Sequence, residues 1–268
     1  MKKLLFWGCV VSVFMLAVAV VVVRQVSPET FHVCKEYVMN RLRGYDWSMA
    51  VDARTVQLDG IDVSHHNGKI NWRKVAENEN IKFVYIKATE GATHRDSRFK
   101  VNAKEARKAG LEVGAYHYLT CKTSVEAQFK NFQKTVAGLD LTLIPMVDVE
   151  SSGMTDNNHR ELSPAEISKL LKAFCRLVEE HYGRKPVIYA SSYYFRKALS
   201  NDFADYYLWA NGYYGKPYIG QKGRAGIWQF TEHGHLDGIP NPVDLNRFQN
   251  GMTVEKLKMN SQKGTKDR

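Results

Sequence analysis

Beyond Leu58 the chain alternates between two rhythms, short apolar runs of strand type and longer stretches whose apolar positions recur every three or four residues. Eight runs read as strands: "GIDVS", "KFVYIKAT", "EVGAYHYL", "LIPMVDVE", "KPVIYASS", "YYLWANGY", "AGIWQFT" and "NPVDLNRF". Helical stretches fall between the early ones, from Trp72 to Glu79, Arg98 to Ala109 and Ser124 to Val136. The clearest helix is "SPAEISKLLKAFCRLVEEHYG", where Ser163 caps, Pro164 fits the first turn, Glu166 completes a capping box and Gly183 supplies a stop. Ile167, Leu170, Leu171, Phe174, Leu177 and Val178 give it one apolar stripe.

Strand and helix in repetition predict a parallel sheet covered by helices and closing as a (β/α) barrel. Only Tyr194 to Leu199 separates two of the late strands, so the later helices are expected to be short or absent. The predicted fold is therefore α/β: a flattened, incomplete TIM-like barrel with eight strands and fewer helices. A dinucleotide-binding sheet is the rival, but no G-x-G-x-x-G opens a helix after a strand.

The N-terminus follows neither rhythm. Lys2 and Lys3 precede an uninterrupted apolar run, Leu4 to Val23, and the next charge is Arg24. About 20 apolar residues span a bilayer as a helix. A cleaved signal has an apolar core of roughly 7 to 15 residues before a small-residue cleavage site, and neither feature is present. Residues 1–24 are expected to be an uncleaved transmembrane anchor with a cytoplasmic N-terminus. Residues 25–57 read as a juxtamembrane stalk, 58–250 as the barrel domain and 251–268 as a polar tail.

Hydrophobic residues at 44% and charged residues at 25% are ordinary globular values, so composition leaves the fold to pattern. The net charge of +10 adds an attraction to anionic envelope polymers or lipid surfaces. Nucleic acid is not expected as a partner, because no basic helix, zinc-finger spacing or aromatic RNA-binding motif occurs. Of the four cysteines Cys9 lies in the apolar run, and the remaining three, Cys34, Cys121 and Cys175, cannot all pair internally. Cys175 sits on the apolar stripe of a helix, where it serves as a small hydrophobe.

The chemistry gathers in "LIPMVDVESSG". Asp148 and Glu150 are two apart at the end of an apolar strand and so share a face. Two buried like charges repel and lose hydration, an arrangement that packing does not reward but that keeps one carboxyl protonated, as a general acid requires. Asp62 ends the first strand and Asp244 lies in the last, and these strands are neighbours in a closed barrel. Paired carboxylates flanking a bond point to glycoside hydrolysis, with separations of roughly 5 to 5.5 Å for retention and about 6.5 to 9.5 Å for inversion. Tyr116, Tyr189, Trp209, Tyr213 and Trp228, in or near strand ends, are candidates to face pyranose rings, with core packing as the competing role. Lys87 and Glu90 are expected to form a structural ion pair. A metal site built from Asp62, His65, His66, Asp148, Glu150 and Asp244 is the other reading. It lacks the H-x-x-x-H and H-E-x-x-H spacings, and adjacent histidines on an extended loop point apart, so neither metal nor cofactor is expected.

"GIDVSHHNGKINW", "FVYIKATEG", "DSRFKVNAKEARKAGLEVGAYHYL", "PMVDVE", "VIYAS", "LWAN", "WQF" and "VDLNRF", in that order, resemble the glycoside hydrolase family 25 lysozymes of Chalaropsis type over Leu58 to Phe248. The resemblance implies an N-acetylmuramidase that cuts the β-1,4 bond between N-acetylmuramic acid and N-acetylglucosamine in peptidoglycan. It implies Glu150 as general acid, Asp148 as its partner in D-x-E, and Asp62 and Asp244 as further acids of the groove. Tyr116 and Trp228 match positions that shape the sugar site. The expected protein is a bacterial monomer, and the N-terminal anchor, which is not part of the family's catalytic pattern, would leave the catalytic domain facing the periplasm or the exterior. A non-catalytic peptidoglycan-binding scaffold and a hydrolase of another N-acetylated glycan, such as chitin, are the alternatives. "SHHNG" departs from the glutamine that many members carry before the glycine, which alters the contacts expected of His66 and Asn67.

Overall fold

In the computed structural model the described residues are 50–199, 203–213, 216–217 and 225–259, together with Lys35 and Val38. The chain divides into two units, 1–46 and 47–268. The expected anchor and most of the expected stalk lie outside the described residues; among these, no helix is long and apolar enough to cross a membrane.

All eight expected strands form. They are β2 (Gly60–Val63), β3 (Phe83–Glu90), β5 (Val113–Tyr118), β6 (Met146–Val149), β7 (Val187–Ser191), β8 (Leu208–Asn211), β9 (Ala225–His235) and β10 (Val243–Phe248). Two-residue strands β1 (Val51–Asp52) and β4 (His94–Arg95) add to the edges of β9 and β3. Helices α1 (Trp72–Ala76), α2 (Phe99–Lys108), α3 (Val125–Val136) and α4 (Pro164–Tyr182) follow β2, β3, β5 and β6. Between β7 and β8 the described residues form the three-residue α5 (Ser192–Tyr194) and a π-turn, Phe195–Leu199. The capping box at Ser163 and Glu166 forms, and Gly183 ends α4 in the left-handed conformation at φ 68°.

Two expectations are corrected. The barrel is closed and not incomplete, because β9 pairs with β8 on one side and with β10 on the other. Nor is the sheet wholly parallel: β10 runs antiparallel to both β9 and β2. The seven residues from Leu236 to Pro242 form a tight return without a crossover helix, and a connection that short can only reverse the chain. Val51–Asp52 joins the sheet and Ala53 is fully buried, while Met252 and Leu257 of the expected tail are buried against the barrel, with α6 (Val254–Leu257) following Met252. Residues 260–268 lie outside the described residues.

Alternation sorts the strands into two faces. Outward positions such as Ile61, Val84, Ile86, Val147 and Ile188 pack under the helices in two apolar clusters. Inward positions make a third, aromatic cluster along the barrel axis, with Phe83, Tyr85, Trp209, Met252 and Leu257 among its members. Glycines create the room. A β-carbon on Gly60 would lie 2.5 Å from the Phe83 ring, and one on Gly114 would lie 2.4 Å from that of Tyr85. Large rings thus rest on strands that present only backbone, and the interior is filled with side chains from its floor upward.

Candidate active site

The inward positions change character at the C-terminal ends of the parallel strands. Asp62, Tyr116, Met146, Asp148, Glu150, Tyr189, Tyr213, Gln229, Glu232 and Asp244 line a cavity of about 150 Å³ at this mouth. Met146, Asp148 and Glu150 share one face, and the backbone stays extended through Glu150 (φ −124°, ψ 157°) before the turn at Ser151–Met154. Because β10 is reversed, its beginning and not its end reaches the mouth. Asp244 stands in register with Asp62.

These two acids form a satisfied pair. Asn246 Nδ2 donates to Asp62 Oδ2 at 2.8 Å, and Gln229 Nε2 reaches both oxygens at 3.2 and 3.1 Å. Burial pushes the Asp62 carboxyl up, while these amides and the hydrogen bond with Asp244 pull it back. Burial and the neighbouring Asp62 push Asp244 well above the usual carboxylate range. Both carboxyls are thus raised, and the hydrogen bond between them lets the pair share a proton.

Asp148 and Glu150 are held differently. Asp148 is buried, and its Oδ1 has no hydrogen-bond partner among the described residues. Burial, then the charge of Glu150, drives Asp148 well above its ordinary range. Glu150 is also raised by burial, and Lys87 and the Tyr118 hydroxyl oppose the shift. The two carboxyls titrate as one system that retains a proton.

Tyr116 and Tyr189, expected at the sugar site, line the cavity. Tyr189 donates to Gln229 Oε1 at 2.8 Å, and Tyr213 donates to the same oxygen at 2.9 Å. Trp209 does not line the cavity: it is fully buried deeper in the barrel, and its indole donates to Asn246 Oδ1 at 2.9 Å. It orients the amide that serves Asp62 and offers no face to a ligand. Trp228 is half-buried outside the lining, with its indole donating to Gly212 O at 2.9 Å. Gln229, Asn246 and Glu232 went unnoticed in the sequence. Asn246 was within reach, since it lies two residues from Asp244 on the same face.

The Lys87–Glu90 pair forms at 2.8 Å. The two histidines of "SHHNG" do not point apart, because the loop winds into a 3-10 turn and brings their rings to 3.9 Å. His65 Nδ1 contacts Asp96 Oδ2 at 2.7 Å. Asn67 ties the loop by accepting from Ser64 N at 2.8 Å and donating to Pro242 O at 2.7 Å. Among the described residues no group of three or more His, Cys, Asp or Glu side chains is arranged to hold a metal ion.

Comparison with known proteins gives this geometry a family. Residues 61–239 match the Glycosyl hydrolases family 25. The uncharacterized protein YegX of Escherichia coli K12 is 34% identical over 204 residues, 75% of this chain and 72% of the relative. Lysozyme M1 of Streptomyces globisporus is 29% identical over 222 residues, 76% of this chain and 72% of its own. The crystal structure of the bacterial lysozyme from Streptomyces coelicolor superposes with a TM-score of 0.67 at 30% identity, covering 77% of this chain and 99% of that one. A closed eight-stranded barrel with an acid-lined mouth and a family match over two thirds of the sequence lead to one conclusion: the chain belongs to glycosyl hydrolase family 25 and is a glycoside hydrolase of the lysozyme type.

Proposed function

We propose that this enzyme cleaves the β-1,4 bond between N-acetylmuramic acid and N-acetylglucosamine in peptidoglycan, with Glu150 as general acid. The observation that carries this reading is the buried, unpartnered Asp148 Oδ1 beside a Glu150 whose proton is retained by burial. Glu150 protonates the leaving glycosidic oxygen. Asp148 accepts the N–H of the substrate's own 2-acetamido group, which satisfies the orphaned oxygen and aims the acetamido oxygen at the anomeric carbon. Substrate assistance of this kind departs from the two-carboxylate scheme and gives retention. Asp62, fixed by Asn246 and Gln229, is the acid wall of the groove, and Tyr116 and Tyr189 shape it.

The apolar run Leu4–Val23 supports a membrane tether with the barrel outside the cytoplasm, and extraction of the intact chain by detergent but not by alkaline carbonate tests it. Since one chain supplies every acid at the mouth, the enzyme works as a monomer.

Digestion of purified peptidoglycan by the full chain, beside Glu150→Gln, tests the activity. New reducing ends at N-acetylmuramic acid, absent with the variant, are expected. Reducing N-acetylglucosamine ends, or cleavage of chitin alone, would overturn the assignment. Anomeric NMR of the first product is expected to report retention; inversion would replace acetamido assistance with direct attack of water.

A further inference from the structure

The net charge of +10 is not spread evenly over the barrel wall. Several cations there are held by acids: Lys82 by Asp59 at 2.6 Å, Arg107 by Asp140 at 3.0 Å and Lys258 by Glu112 at 3.1 Å. One face does the opposite. Between α1 and α2 lies a groove of about 660 Å³ whose lining carries three cations, Lys69, Arg73 and Lys108, against one acid, Glu105. Among the described residues none of these cations forms an ion pair, and neither does Lys104 one turn away on α2.

The helical period accounts for the face. In α2 the buried Phe99, Asn102, Ala103 and Ala106 take one side, which leaves Val101, Lys104, Glu105 and Lys108 together on the other. Val101 is 48% exposed, the one large hydrophobic side chain of 50–259 left open to solvent among the described residues. In α1 Trp72 and Val75 turn inward and Arg73 and Lys74 outward. The Trp72 indole donates to Asn102 Oδ1 at 3.3 Å, which clamps α1 to α2 and fixes the spacing of the two rows of cations. Unpaired cations held side by side repel one another until a counter-charge arrives, and a lone valine among lysines is the composition of a face that meets a lipid interface.

We propose that the α1–α2 face docks on the anionic lipid surface of the membrane that holds the chain's own N-terminal apolar run, with lipid phosphates entering the groove between Lys69, Arg73 and Lys108 and Val101 reaching the headgroup layer. The inference rests on the tether proposed above and not on the glycosidase chemistry. Residues 25–50, even fully extended, reach at most about 90 Å, so a tethered barrel stays in the neighbourhood of that surface and meets it at high effective concentration. The groove is also of a size to admit a headgroup. Because α1 and α2 cover the outward side of β2 and β3, with Ile61, Val84 and Ile86 beneath them, the docked face is the barrel wall and the mouth stays open.

The test uses the full chain reconstituted into vesicles of phosphatidylcholine alone or with about 30% phosphatidylglycerol, the acetylation rate of each lysine being read by mass spectrometry. In the anionic vesicles Lys69, Lys104 and Lys108 are expected to react at least about threefold more slowly, with Lys169 on α4 unchanged, and about 0.5 M salt is expected to abolish the difference. Lys104→Glu combined with Lys108→Glu is expected to remove the protection of Lys69. The same double variant in detergent is expected to hydrolyse soluble peptidoglycan fragments at the parent rate, which shows that it folds. Equal acetylation in the two kinds of vesicle, or protection that survives in the double variant, overturns the docking. Protection by peptidoglycan in detergent without lipid overturns it in favour of a glycan-binding face. Flotation separates the docking from the tether. A chain that floats with neutral vesicles yet shows no protection in anionic ones keeps the tether and loses the docking, whereas one that floats with anionic vesicles alone loses the tether and keeps the docking.

Discussion

The floor and the mouth of the barrel are built from the same inward positions of the same strands, yet they follow opposite rules. At the floor Phe83 meets Phe248 and Trp209 at ring separations of 5.0 and 5.7 Å, and Tyr85 buries its hydroxyl on the Ile144 carbonyl at 2.9 Å. Every large group there has found its partner. A few residues along each strand, the mouth collects four buried or partly buried carboxyls, one with an oxygen that no described residue satisfies. The floor is stable because it is complete. The mouth is unfavourable on its own and is maintained by the stability of what lies beneath it.

The strongest way to sharpen this contrast is at the mouth. Glu150→Gln is expected to lower the rate of peptidoglycan hydrolysis by about 10²- to 10⁴-fold, the range general acid catalysis supplies, while leaving the melting temperature within about 2 °C. A loss of folding in that variant would mean the mouth carries stability after all. At the floor the opposite signature is expected from Gly114→Ala. The new methyl would overlap the Tyr85 ring, and overpacking of this kind costs roughly 1–3 kcal/mol, read as a lower denaturant midpoint with activity per folded molecule retained.

A third test uses the outer face of β5. His117 is fully buried between Thr89 Oγ1 at 2.7 Å and Gln128 Oε1 at 3.1 Å, and it stacks on Phe174 at 4.8 Å. Burial lowers its pKa to about 4, against about 6.5 for an unfolded chain. A depressed imidazole contributes stability above about pH 6.5, and that contribution falls away as pH drops from about 6.5 to about 4. Melting curves are expected to show a loss of order 2 kcal/mol across this window, flattened in His117→Gln.

The smallest effect on stability returns to the mouth. Asp148 has a raised carboxyl, so its protonated form is favoured by folding and its ionised form is penalised as pH rises through the folded value. Asp148→Asn is expected to abolish most activity yet raise stability by about 1 kcal/mol at pH 7. The gain should vanish below about pH 4, where unfolded and folded carboxyls are both protonated. A variant less stable than the parent at pH 7 would show that Asp148 is a structural acid.

The sequence made the parts of this contrast that depend on local pattern easy to read. Alternation located eight strands, the capping box located α4, and period two placed Asp148 and Glu150 on one face. What it hid was decided by register between distant strands. Gln229 reaches Asp62 across 167 positions and Asn246 across 184, so neither partnership leaves a local trace. Trp209 was offered to the sugar because an aromatic at a strand end can serve a ligand or a core, and only its height in the barrel separates the two. A bulge in β3 after Lys87 was equally invisible, since skipping one residue changes no composition.

The reversed strand β10 ties these levels together mechanically. Its six residues are about 20 Å long, with Asp244 near one end and Phe248, packed on Phe83, at the other. Hydrogen bonds to β2 and β9 along this length tie its two ends into one ladder. The aromatic packing at its base therefore bears on where the carboxyl near its tip stands, and through the register with β2 on Asp62. The register of the catalytic groove is set from below, by hydrophobic contacts that no glycan chain ever touches.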